Sequence, residues 1–64
     1  DRLSDREMEV LRLFGQGMTG SMIADNIALS PKTISTYRAR LLEKLQLHTT
    51  ADLVRYAVEH HLTT

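Results

Sequence analysis

The stretch SPKTISTYRARLLEKL, Ser30 to Leu45, decides how the rest of the chain is read. Serine followed by proline is a strong helix start. Ser30 can accept from a free backbone N–H, and Pro31 suits a first helical position whose own N–H would lack an intrahelical partner. The helix runs to about Leu45, where LQLHTT interrupts it, a length of about 22 Å at about 1.5 Å per residue. At about 100° per residue, Ile34, Leu41 and Leu45 share one side, with Tyr37 and Arg38 at its margins. Lys32, Thr36, Ala39, Arg40 and Glu43 lie opposite, and Ser35 sits at one edge. A stripe of small and basic side chains lets a backbone approach a major groove, where hydroxyls and methyls meet base edges and cations meet phosphates.

Working outward, helical periodicity covers the whole chain, and the alternation of strands is missing. A capping box opens the first helix, with Ser4 as N-cap and Glu7 three residues on. Val10, Leu11 and Phe14 continue its apolar stripe, and Gly15 and Gly17 bracket its end. Thr19 caps a short second helix whose buried edge is expected to be Met22, Ile23 and Ile27, with Ala24 small enough for a close crossing. The connection Ala28-Leu29-Ser30 must turn sharply while keeping Leu29 in the core. Thr49 with Asp52 signals a fourth helix carrying Leu53, Val54, Ala57 and Val58. The expected fold is all-α, with four helices over about 4–16, 19–27, 30–45 and 49–60. A short helix, a tight connection and a longer amphipathic helix together form the helix-turn-helix pattern.

Composition bounds this reading. At 64 residues with 42% hydrophobic content and no cysteine, the chain forms one small domain held by apolar packing alone. It has neither a signal-peptide pattern nor an apolar run near the roughly 18 residues of a membrane span. The opening Asp1 reads as the start of a fragment of a longer protein. Eight basic and eight acidic residues give no net charge, which argues mildly against nucleic acid. Yet Lys32, Arg38, Arg40 and Lys44 cluster with one acid, Glu43, whereas Asp1, Asp5, Glu7, Glu9, Asp25, Asp52 and Glu59 collect elsewhere. A neutral domain can therefore present one positive face.

The stretches LSDREMEVLRLFGQGMT, IADNIALSPKTISTYRARLLEKLQLHT and ADLVRYAVEHHL resemble the C-terminal domain of the LuxR/FixJ/NarL family of bacterial regulators. LSPKTISTYRARLLEKL is most similar to the GacA/EvgA/BvgA-like response-regulator branch. The resemblance implies a four-helix output domain binding duplex DNA as a homodimer through the fourth helix. It implies base reading by Lys32, Ser35, Thr36 and Ala39, and phosphate contacts from Thr19, Ser30, Thr33, Tyr37, Arg38, Arg40 and Lys44. The dimer contact would fall on Val54, Arg55, Ala57 and Val58. A bacterial cytoplasmic, nucleoid-associated location and RNA polymerase as a further partner go with the same resemblance. An upstream receiver controlled by aspartyl phosphorylation is the expected context, with a quorum-sensing ligand domain as the other family architecture. One departure stands out: Gly20-Ser21 occupies the place where the family often has Asn-Lys.

Plainer roles compete for several residues. Tyr37 can be a core-edge aromatic, Arg38 can lay its stem over apolar surface, and Lys44 can pair with a first-helix acid such as Glu9. Met8, Met18 and Met22 read as core filler. His60 and His61 are adjacent and point apart on a helix, so no metal site is expected. Without a cysteine nucleophile, a phosphate loop or paired carboxylates in a pocket, catalysis, cofactors and a small-molecule substrate are not expected. A sigma-factor-like promoter-binding region and a protein adaptor are the other classes compatible with such a bundle.

Overall fold

In a computed structural model, residues 2–63 are described, so Asp1 of the acidic set lies outside them. They form α1 (Asp5–Gly15), α2 (Gly20–Asn26), α3 (Pro31–Leu45) and α4 (Thr50–Glu59). Each expected N-cap is in place. Ser4, Thr19, Ser30 and Thr49 all have extended backbones and accept from a main-chain N–H three residues on. At α1 and α4 the box is reciprocal: Ser4 N–H donates to Glu7 Oε1 at 2.8 Å, and Thr49 N–H donates to Asp52 Oδ2 at 3.0 Å. No helix among the described residues is long and apolar enough to cross a membrane.

The four helices also end alike. A left-handed residue follows each helix (Gly17, Ala28, Gln46 and His61), and only one of these is glycine. The next residue is apolar and bonds back to a carbonyl five positions earlier. These bonds are Met18 N–H to Leu13 O, Leu29 N–H to Ala24 O, Leu47 N–H to Leu42 O and Leu62 N–H to Ala57 O. This closure satisfies late helical carbonyls and returns an apolar side chain to the core. It also explains how Ala28-Leu29-Ser30 turns sharply with Leu29 half-buried.

The core consists of Val10, Leu11, Phe14, Ile23, Ala24, Ile34, Leu41, Leu53 and Ala57. Met8 and Met18 pack against it, but Met22 is 52% exposed. The expectation that Met22 forms the buried edge of α2 is therefore corrected, because Ile23 and Ala24 fill that place. Gly15 is also more than a helix end. A Cβ built there would lie 2.5 Å from Ala57 Cβ and 2.6 Å from Thr63 Cγ2, so α1 and α4 cross where both side chains are minimal.

Lys44 joins α3 to α1, and its partner is Glu7 rather than Glu9. Lys44 Nζ donates to Glu7 Oε1 at 2.8 Å, while Glu9 pairs with Arg6. The Glu7 side chain is 4% exposed. The bonds from Lys44 and the Ser4 N–H hold its pKa below the ordinary 4.5, against the opposing effect of burial. A carboxylate depressed in the folded state contributes stability above its unfolded pKa and loses it as pH falls through the folded value. Asp52 is lowered in the same direction by the N–H groups of His48 and Thr49. Thermal melts should therefore show falling stability below about pH 4.5, with a shallower fall in Glu7→Gln. An equally steep acid limb in that variant would remove Glu7 from the account.

Candidate nucleic-acid interface

The solvent face of α3 carries Lys32, Ser35, Thr36, Ala39, Arg40 and Glu43, all exposed. Ile34 and Leu41 anchor the opposite face in the core, which fixes the helix's rotation. All four residues expected to read bases thus lie on one accessible surface. Thr36 Oγ1 donates to Lys32 O at 3.2 Å. With its proton engaged in the helix, Thr36 offers lone pairs and a methyl outward. Such a side chain suits a base amino group or a thymine methyl.

At the start of α3, the Ser30 and Thr33 hydroxyls share a hydrogen bond of 2.9 Å, and Ser30 Oγ accepts from Thr33 N–H. Thr19 Oγ1 accepts from Met22 N–H at 3.2 Å at the head of α2. Ser30 and Thr19 remain exposed and Thr33 is half-buried. Their hydroxyls therefore order helix N-termini, which favour anionic oxygens, as well as being available to a phosphate.

The cations divide unequally. Lys32 and Arg40 make no ion pair among the described residues and stand on the open face. The Arg40 guanidinium carbon lies 6.0 Å from the Tyr37 ring centroid, at the outer limit of a cation–π contact. Tyr37 itself is half-buried against the core. Lys44 was expected at the phosphates, but its ammonium is bound to Glu7. Releasing it would strand a buried carboxylate, so Lys44 is withdrawn from the interface. Arg38 is half-buried, and its Nε donates to Thr50 Oγ1 at 2.7 Å, tying α3 to the first turn of α4. A first-helix acid was the expected partner of Lys44, and Glu7 takes the place of Glu9, whereas the Arg38–Thr50 contact joins residues distant in the chain and was not anticipated from sequence.

The apolar patch on α4 needs one correction. Ala57 is fully buried beneath Gly15, so it cannot meet a second copy. Val54 is half-buried, while Arg55 and Val58 are exposed, Val58 by 53%. His60 stacks on Tyr56 at 4.1 Å between ring centroids. No group of three or more His, Cys, Asp or Glu residues able to hold a metal occurs among the described residues.

Against known proteins, the family model described as bacterial regulatory proteins, luxR family, matches residues 1–57. BvgA of Bordetella pertussis, whose name describes a virulence-factor transcription regulator, is 47% identical over 60 residues, covering 94% of this chain and 29% of its own. The Fimbriae Z protein of Salmonella typhimurium is 45% identical over 60 residues, with 94% and 29% covered. Response regulator UvrY of Escherichia coli is 35% identical over 60 residues, with 94% and 28% covered. The chain thus spans less than a third of the length of these relatives.

Proposed function

The chain belongs to the luxR family of bacterial regulatory proteins, and on that premise we propose that it binds duplex DNA sequence-specifically, as the output domain of a longer transcription regulator in the bacterial cytoplasm. The observation that carries this reading is the face of α3. Small side chains at Ser35, Thr36 and Ala39 are framed by Lys32 and Arg40, cations without an ion pair among the described residues. A groove-entering helix needs that combination of close approach and flanking positive charge.

Fluorescence anisotropy of labelled duplexes across a salt series tests it. Steep loss of affinity with salt and one preferred site are expected, because phosphate contacts release counterions. Equal and negligible affinity for every duplex at low salt would remove the reading. Arg40→Ala should weaken binding to all duplexes alike and lower the salt slope by about one. A changed base preference in that variant would move Arg40 from phosphate to base contact.

Val54, Arg55 and Val58 are proposed as a two-fold contact between copies on paired half-sites. With Ala57 withdrawn, the patch is small, so association without DNA should be weak. Val58→Asp should leave binding to one half-site intact and remove the added affinity of two. Sedimentation on a two-site duplex reads the stoichiometry directly, and a wild-type protein that never binds as two copies would sink the dimer. The response-regulator context has support in the similarity to UvrY.

A further inference from the structure

An open groove of about 440 Å³ lies beside the α1–α2 turn, between α3 and the start of α4. Apolar side chains of Phe14, Met18, Ile34 and Val54 line it, with Arg38 as the one charged residue among those described. Among the described residues no carboxylate borders it and Arg38 has no acidic partner. Thr50 holds the guanidinium through Nε at 2.7 Å, and the terminal nitrogens make no hydrogen bond among the described residues. Gly17 and Gly20 keep the mouth open: a Cβ at Gly17 would meet nothing within 4 Å, and one at Gly20 would only touch Ile34 Cγ2 at 3.7 Å.

A concave apolar surface with one oriented, unneutralised guanidinium has the makings of a small-molecule site, where apolar walls supply affinity and a few polar groups fix orientation. We propose that this groove binds a small amphipathic carboxylate, an aryl or alkyl body of roughly ten heavy atoms with a single carboxylate on Arg38. The carboxylate matches a guanidinium fork through charge-assisted hydrogen bonds, and the apolar body covers Ile34 and Val54. A lone phosphate fits less well, because it would leave that surface wet. An open site and a ligand of this size give an affinity of about millimolar to high micromolar.

The site joins two surfaces. Ser35 lies on the reading face and Val54 in the α4 patch, and both line the groove. If the DNA-binding reading holds, on which this consequence rests, the occupied groove lowers affinity for duplex DNA.

Amide NMR of the chain titrated with 4-phenylbutyrate tests the site without DNA. Saturable shifts are expected at Gly17, Gly20, Ser35 and Thr50. The neutral 4-phenylbutyramide should bind about tenfold more weakly, and Arg38→Met should reduce the acid to the level of the amide. Gly20→Leu has room for its Cβ and should fill the groove, abolishing the shifts while the rest of the spectrum stays folded. Equal binding of acid and amide, shifts scattered over the surface, or unchanged binding in Gly20→Leu would overturn the site. Groove shifts that track protein concentration without any probe would assign the groove to a second copy instead. In a separate arm, 4-phenylbutyrate should displace duplex from the wild type about tenfold more effectively than the neutral 4-phenylbutyramide, and equal displacement by the two would remove the link to DNA. Failure of duplex binding in every protein would sink the functional reading and leave the NMR result standing.

Discussion

Thr36→Asp is expected to lower affinity for a preferred duplex by roughly 100-fold or more, equivalent to about 3 kcal/mol, with no loss of fold. Thr36 stands exposed in the middle of the open face of α3, and its main-chain surroundings tolerate the change. Thr and Asp have similar helix propensities, and surface substitutions usually alter stability by no more than about 0.5 kcal/mol. Duplex DNA carries one negative charge per about 1.7 Å of axis. A new carboxylate directed into the groove would meet that field without a compensating donor. Thr36→Ala separates charge from contact: it removes the lone pairs but keeps a methyl, so a smaller, sequence-dependent loss is expected. Retention of preferred-site affinity within threefold in Thr36→Asp would place the reading surface elsewhere.

Gly15→Val should remove most of the domain's stability. A Cβ at this position falls 2.5 Å from Ala57 Cβ, a separation that packed side chains do not adopt. Thr63 can swing aside, but Ala57 belongs to the frame of α4. Packing between α1 and α4 is the most extensive in the fold, so forcing these helices apart disturbs the main seam of the core. Overpacking costs about 1–3 kcal/mol, occasionally more, and a chain of this size has a total stability of only about 3–10 kcal/mol. Urea unfolding should show Gly15→Ala at an intermediate midpoint and Gly15→Val near or below the folding threshold. A midpoint unchanged or raised in Gly15→Ala would mean that better helix propensity outweighs the clash, and that the crossing is less tight than it stands here.

The sequence-based expectations succeeded where a single helix contains all the necessary information. The rotation of α3 follows from Ile34, Leu41 and Leu45 because a long amphipathic helix has one consistent phase. Its exposed face followed with it, as did the four N-caps. The short α2 has too few turns to define its phase, so Met22 was placed inward when Ile23 and Ala24 occupy the core. Ala57 was ambiguous for another reason. A small residue in an apolar stripe suits both an interface and a close crossing, and only its contact with Gly15 decides. Lys44 shows the same limit, since Glu7 and Glu9 lie on one helix but only Glu7 faces inward. Pairings between distant residues leave no periodic trace in the chain.

The left-handed closures bear on how such a domain could change its target. Each junction between helices consists of little more than a closing residue and an apolar anchor, so an inserted residue would pull Met18, Leu29 or Leu47 from its seat. Loops, the usual place for acquiring new specificity, offer almost no room for lengthening here. On the proposed reading, new recognition would instead be written by substitution on the outward face of α3, at positions whose side chains bear little of the fold. The domain behaves like a type holder: the frame that grips each piece is rigid, and only the printing surface can be reset.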